Sequence, residues 1–128
     1  MFEDIQRSAR EMVRMSPLNR VQAEDAMNAA LVGLKLFDEP VFAVGDAADA
    51  LFARLKEPQV VHPEVMLPDD WLPGARRVIS YFLPFIQAVK ARNNLDFRFP
   101  SDEWLHRRIE GQMFLDHLGA QICAQLSG

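Results

Sequence analysis

Asp69–Pro84, DDWLPGARRVISYFLP, decides the architecture. Pro73-Gly74 turns the chain, and Arg77–Leu83 (RVISYFL) supplies a nearly continuous apolar run of strand length. Pro84 ends that run, because proline has no N–H to give a sheet ladder. A continuous apolar run, unlike an alternating one, is the pattern of a strand covered on both faces. The stretch therefore reads as a central strand, with Arg76 and Arg77 at its mouth, where their charges stay in water.

Upstream, Glu57–Gly74 (EPQVVHPEVMLPDDWLPG) contains four prolines. Proline breaks helix and sheet alike, so an ordered, extended connection is expected, and its Val60, Val61, Met66, Leu67 and Trp71 imply that it packs down. His62 is placed to order that connection by hydrogen bonding. Before it, Val41–Gly45 (VFAVG) reads as a short buried strand entered through the turn Asp38-Glu39-Pro40. Asp46 or Asp49 is expected to cap a short helix over Ala47–Lys56, with Leu51, Phe52 and Leu55 as its apolar contact. A helix is also expected across Arg20–Leu34, with Val21, Met27, Ala30, Leu31 and Leu34 on one side. At the N-terminus, Phe2, Ile5, Ala9, Met12 and Val13 recur at helical spacing opposite charged residues, until Ser16-Pro17 stops the helix.

Downstream, Ile86–Phe99 has weak periodicity and a turn-prone Asn93-Asn94, which predicts an irregular segment or a short helix. The longest helix follows Pro100. Ser101 is a fitting N-cap, and Asp102 and Glu103 place negative charge at the positive end of the helix dipole. Trp104, Leu105, Ile109, Leu115, Leu118, Ile122, Cys123 and Leu126 are expected on its buried face. Gly111 and Gly119 fall on the same side, where glycine suggests close approach of another backbone.

The chain of 128 residues bounds one domain with one modest core. A net charge of −4 argues against general attraction to nucleic acid or to anionic membranes. The charge is uneven: acids dominate up to Asp70, and a small basic excess follows. The single cysteine, Cys123, excludes an internal disulfide and any multi-cysteine metal or iron–sulfur site built from this chain alone. There is no signal-peptide pattern at the N-terminus and no apolar run of membrane-spanning length, so the expectation is a soluble, cytoplasmic protein.

The polar side of the last helix carries His106, Glu110, His117 and Gln121, with His106 and Glu110 four apart and therefore neighbours. Glu103 and His106 have the Glu-x-x-His spacing of helical di-iron sites, but those need a second such motif and further carboxylates, so a solvated polar face outweighs a metal site. Cys123 reads as a small core residue. Phe114 falls on the polar side, where an aromatic ring suggests a partner surface or missing chain that would cover it. Arg76, Arg77, His106, Arg107, Glu110 and Phe114 form the expected interaction surface. No catalytic, cofactor-binding or metal-ligating residue is assigned. Arg76, Arg77, Arg92, Arg107 and Arg108 would be the contacts of a nucleic-acid-associated module, the weakest of the readings.

Taken in order, Asp38–Lys56 (DEPVFAVGDAADALFARLK), Asp69–Phe85 (DDWLPGARRVISYFLPF) and Pro100–Leu126 resemble the N-terminal part of iron–sulfur proteins related to epoxyqueuosine reductase, with LPGARRVIS the strongest piece. The resemblance implies the N-terminal part of a nitroreductase-like α+β fold. Members of that family bind cobalamin there and carry two four-iron–four-sulfur clusters on a C-terminal ferredoxin-like region, held by cysteine runs absent from this sequence. The family continues past the position of Gly128 into its next strand and the rest of the cofactor pocket. Its Asp-Tyr-His near the start of the corresponding helix has Glu103-Trp104-Leu105-His106 as nearest match, one residue out of step, so no catalytic residue carries over.

The expectation is an α+β chain, a small sheet with flanking helices, acting as the N-terminal binding or scaffold module of an iron–sulfur oxidoreductase-like protein. It would not be catalytic as it stands, and would be completed by a homo-oligomer or by a C-terminal region. The alternative is a cobalamin- or flavin-binding reductase assembled as an oligomer with an external electron donor.

Overall fold

The first helix, α1 (Phe2–Met15), forms where apolar residues recur three and four apart. It buries Ile5, Ala9 and Val13 and carries Glu3 and Asp4 in its first turn. In this computed structural model, which describes residues 1–95 and 98–128, the helix stops at Ser16, as expected. The Ser16 N–H donates to Met12 O (2.8 Å), and Ser16 Oγ accepts from the Leu18 N–H (3.2 Å) to open a single 3-10 turn over Pro17–Asn19. Proline at the first position of that turn loses no hydrogen bond.

Arg20–Leu34 is not the expected helix. The segment folds back on itself: the Val21 N–H donates to Leu34 O (2.9 Å), the Gly33 N–H donates to Val21 O (2.7 Å), and Arg20 bridges Lys35 in antiparallel sense. Gly33 has φ +80°, a conformation that side chains disfavour, so the reversal falls where glycine permits it. Of the expected apolar face only Val21 and Leu31 are buried, and Met27 and Ala30 are exposed. Long-range pairing beat a weak helical preference here. Asn19 organises the return. Its Nδ2 donates to Val13 O (2.8 Å) and Phe37 O (3.0 Å), its Oδ1 accepts from the Phe37 N–H (3.0 Å), and its side chain is fully buried.

The fold is α+β, as the sequence implies. The described residues form five α-helices and one antiparallel pair of strands: α1, β1 (Val41–Asp46), α2 (Ala50–Arg54), α3 (Pro68–Trp71), β2 (Arg77–Phe82), α4 (Gln87–Asn93) and α5 (Asp102–Ser127). Within Ile86–Phe99, α4 is the short helix, and Asp96 and Phe97 of that stretch lie outside the described residues. No helix among the described residues is long and apolar enough to cross a membrane. The chain divides into two compact units, residues 1–41 with 83–128, and residues 42–82.

The first unit holds the core. Ile5, Ala9 and Val13 of α1 are buried together with Val21, Leu31, Leu36, Phe37, Leu83 and Val89, and with Phe114, Leu118 and Ile122 of α5. Phe37 is central, its ring centroid 5.8 Å from that of Phe85 and 6.0 Å from that of Phe114. A Cβ added at Gly111 would come within 3.1 Å of the Phe37 ring, so this glycine admits an aromatic side chain, not the backbone expected there. α5 begins as anticipated, with Ser101 Oγ accepting from the Trp104 N–H (3.2 Å).

The buried face of α5 is only partly the expected one: Gly111, Leu118 and Ile122 are buried as anticipated, but other members of that face are not. Glu103, His106, Gly111, Phe114, Leu118 and Ile122 are buried, while Ile109, Met113, Cys123 and Leu126 are exposed. Phe114, expected on the polar side, is a core residue with no exposed surface. The helix rotates this way because its polar residues find partners inside, so apolar spacing alone does not mark its core side.

The second unit is built differently. The Ala47 N–H donates to Arg76 O (3.0 Å), which fixes the antiparallel register and sets Phe42 beside Tyr81, ring centroids 5.9 Å apart. Asp49 caps α2 by accepting from the Leu51 N–H (2.8 Å), and Asp46 accepts from the Ala48 N–H (2.9 Å) just before it. Gly74, φ +80°, makes the turn expected after Pro73, and its N–H donates to Asp69 Oδ1 (2.8 Å). His62 orders its loop as anticipated, its Nδ1 accepting from the Glu64 N–H (3.2 Å). Burial runs against expectation, however. No residue from 42 to 82 is buried, β2 is not covered on both faces, and the proline-rich connection leaves Trp71 73% exposed. A two-stranded sheet has no third strand to flank it, so the apolar run of β2 stays partly open.

Candidate functional site

α5 carries four of the six residues expected to share a surface, and two of them are interior. His106 is buried and bonded through both ring nitrogens. The Met27 N–H donates to Nε2 (3.1 Å), and Nδ1 lies 3.2 Å from Glu110 Oε1. Because Nε2 accepts, the ring is the neutral tautomer with its proton on Nδ1, donated to the Glu110 carboxylate. The imidazole thereby ties the 20–34 segment to the helix, and neither ring nitrogen is free to move a proton to a ligand. Glu103, the other half of the Glu-x-x-His spacing, turns instead to Arg92 of α4, with Nε donating to Oε1 at 3.1 Å. The two members of that motif therefore serve different partners.

Arg107 places its guanidinium 4.2 Å from the centroid of the Phe85 ring. It extends the Phe85, Phe37 and Phe114 rings into a continuous stack, a cation–π cap on an aromatic core. Desolvation by burial, and then the neighbouring positive charge of Arg108, hold its pKa below the ordinary arginine value. Among the described residues, neither Arg107 Nε nor Glu110 Oε2 finds a hydrogen-bond partner, although both atoms are buried. Phe114 lies beneath this stack and presents nothing to solvent, so it and His106 are removed from the expected interaction surface. Arg107 and Glu110 remain at its edge, half-buried.

Arg76 and Arg77 belong to the 42–82 unit and are exposed at the start of β2. Both units expose some large apolar residues, but this one has no buried core beside them. Val44 of β1, Phe82 of β2, Leu51 of α2 and Trp71 with Leu72 at the end of α3 are all exposed, Phe82 by 66%. A hollow of about 320 Å³, lined by Gly45, Asp46, Asp49, Leu51, Phe52 and Leu55, opens beside α2. The same unit carries exposed groups of both signs, including Asp46, Asp49, Lys56, Asp70, Arg76 and Arg77. Single exposed apolar residues are ordinary, but this unit exposes several large ones and buries no residue.

Sequence reasoning located the strands that carry this surface and inverted their environment. It missed Met27 as the partner of His106, because a backbone N–H has no side-chain signature and the two residues are far apart in the chain. It missed Phe37 as the centre of the core, since a lone phenylalanine between Leu36 and Asp38 belongs to no periodic run. The Glu103–Arg92 pair was legible only as charges of opposite sign on neighbouring elements. Comparison of the chain with protein-family models, curated proteins and solved structures gave no match.

Proposed function

We propose that this chain is a docking module, the N-terminal binding or scaffold part of an iron–sulfur oxidoreductase-like protein of the epoxyqueuosine reductase type, without catalysis of its own. The observation that carries the docking reading is the 42–82 unit: a two-stranded sheet and two short helices with no buried residue and with Trp71, Leu72 and Phe82 in solvent. Such a unit gains stability when another surface covers it, because an isolated two-stranded sheet is marginal in water. The link to iron–sulfur reductases rests on the LPGARRVIS turn and strand and on the order of elements around them.

The occupant we propose for that surface is a second copy of the chain. The exposed charges of that unit are of both signs, so two copies do not repel each other across it, as a single-sign surface would. The test is molar mass by light scattering across a concentration series reaching tens of micromolar. A mass above one chain is expected, falling toward one chain for Leu72→Glu and Phe82→Glu, which replace exposed residues and leave the buried core untouched. A single-chain mass at every concentration would sink the self-association. The visible spectrum after adding hydroxocobalamin or flavin and desalting decides the competing reading. Colour retained in stoichiometric amount would instead make the chain a cobalamin- or flavin-binding reductase fed by an external electron donor.

A further inference from the structure

We propose that His106 is a proton-sensitive latch that holds the 20–34 segment closed against α5 and releases it as the pH falls. The closed arrangement needs Nε2 as an acceptor, since the Met27 N–H points at it from 3.1 Å. It equally needs Nδ1 as a donor, since Glu110 Oε1 lies 3.2 Å away. Only the neutral ring protonated on Nδ1 meets both demands. A second proton goes to Nε2, which then presents an N–H to the Met27 N–H. Two donors face each other at a part-buried contact, and the Met27 amide loses the ring as its acceptor.

The bond to Glu110 survives protonation and becomes an ion pair, so the ring stays seated on α5 while the segment lets go. His106 is only 2% exposed, so the protonated Nε2 cannot turn to solvent without the contact opening. The segment is also tethered to α5 by Asn28 Nδ2, which donates to Asp102 Oδ2 at 3.3 Å.

On the stretch of α5 around the ring the charges are Glu110, bonded to it, Asp102 and Glu103 one turn earlier, and Arg107 and Arg108 beside it. α4 carries Lys90 and Arg92, the latter engaged by Glu103. The 20–34 segment carries Arg20, Glu24 and Asp25, all exposed. α1 meets the core through Ile5, Ala9 and Val13, and the Pro17–Asn19 turn through Asn19; none of these carries a charge. The closed contact needs an unprotonated Nε2 to accept from Met27, so closure is favoured as the pH rises.

The test is amide exchange at Met27 by NMR on the intact chain from pH 8 to pH 5.5, corrected for the intrinsic pH dependence of exchange, with the His106 ring resonances followed in the same samples. The expected result is a Met27 protection factor that falls as the pH is lowered, by up to about tenfold per pH unit, the limiting slope for one linked proton. His106→Gln supplies an acceptor and a donor that do not titrate, so its Met27 protection is expected to stay flat over the same range. Wild-type protection that stays flat over this range would overturn the proposal, as would a Gln variant that keeps the wild-type pH profile. If the variant does not fold, the wild-type Met27 profile against the control amides decides alone. Ser16 and Leu36, whose amides bond to backbone carbonyls outside the segment, are the internal controls and should not move with the ring.

Discussion

Asn19 shows how much one side chain can settle. Three of its hydrogen bonds reach backbone groups at Val13 and Phe37, so it joins the end of α1 to the segment carrying the centre of the core. Replacing it with alanine leaves two carbonyls and one N–H without partners in a buried place, at about 1–3 kcal/mol for each group left unsatisfied. Asn19→Ala should therefore lower stability by roughly 3 kcal/mol or more, read as a reduced midpoint in urea unfolding. Asn19→Asp should be at least as harmful, because a carboxylate cannot donate to Val13 O and Phe37 O. Nothing in the local sequence singles this residue out, as asparagine in a turn is ordinary and its partners are set by the tertiary fold. Gly111 is a partial exception. Its unusual place inside a helix was visible, and only the identity of its neighbour, the Phe37 ring, was not.

Among the elements, the helix ends were the most legible, because capping is local chemistry. Ser16-Pro17, Asp49 and Ser101 each act as the sequence indicates. Ser101→Ala should cost about 1 kcal/mol by freeing the Trp104 N–H, measured as a lowered unfolding midpoint with no loss of helix content in the native state. The faces of elements were much less legible. α5 buries Glu103 and His106 because Arg92, Glu110 and the Met27 N–H meet them there. Partners of that kind are invisible to any count of apolar spacing. Arg20–Leu34 failed as a helix for a related reason: pairing of Val21 with Gly33 and Leu34 satisfies its backbone at long range.

For the molecule as a whole, the contrast between the two units is the main physical fact. Residues 1–41 with 83–128 own every buried apolar side chain, and residues 42–82 own none. Local stability follows buried contact, so the two should open at different free energies. In hydrogen exchange the amides of β1 and β2 beyond Val41 should be less protected than those of α1 and α5 at low protein concentration. If a second copy covers the 42–82 unit, that protection should rise with concentration while the α1 and α5 amides stay unchanged. Protection of 42–82 equal to that of α5 in dilute solution would show the unit to be stable by itself, and would weaken the case for docking.

By itself the sequence determined the α+β class, the start and end of α1, the caps of α2 and α5, the turn at Gly74 and the two strands. All of these depend on residues a few positions apart, where backbone sterics and capping decide. Tertiary structure alone decided the path of Arg20–Leu34, the buried face of α5, the aromatic stack through Phe37, and which apolar residues remain in water. Those depend on groups that meet only after the chain has folded. A buried histidine needs its distant backbone donor, and a strand is covered only if some other surface is there to cover it.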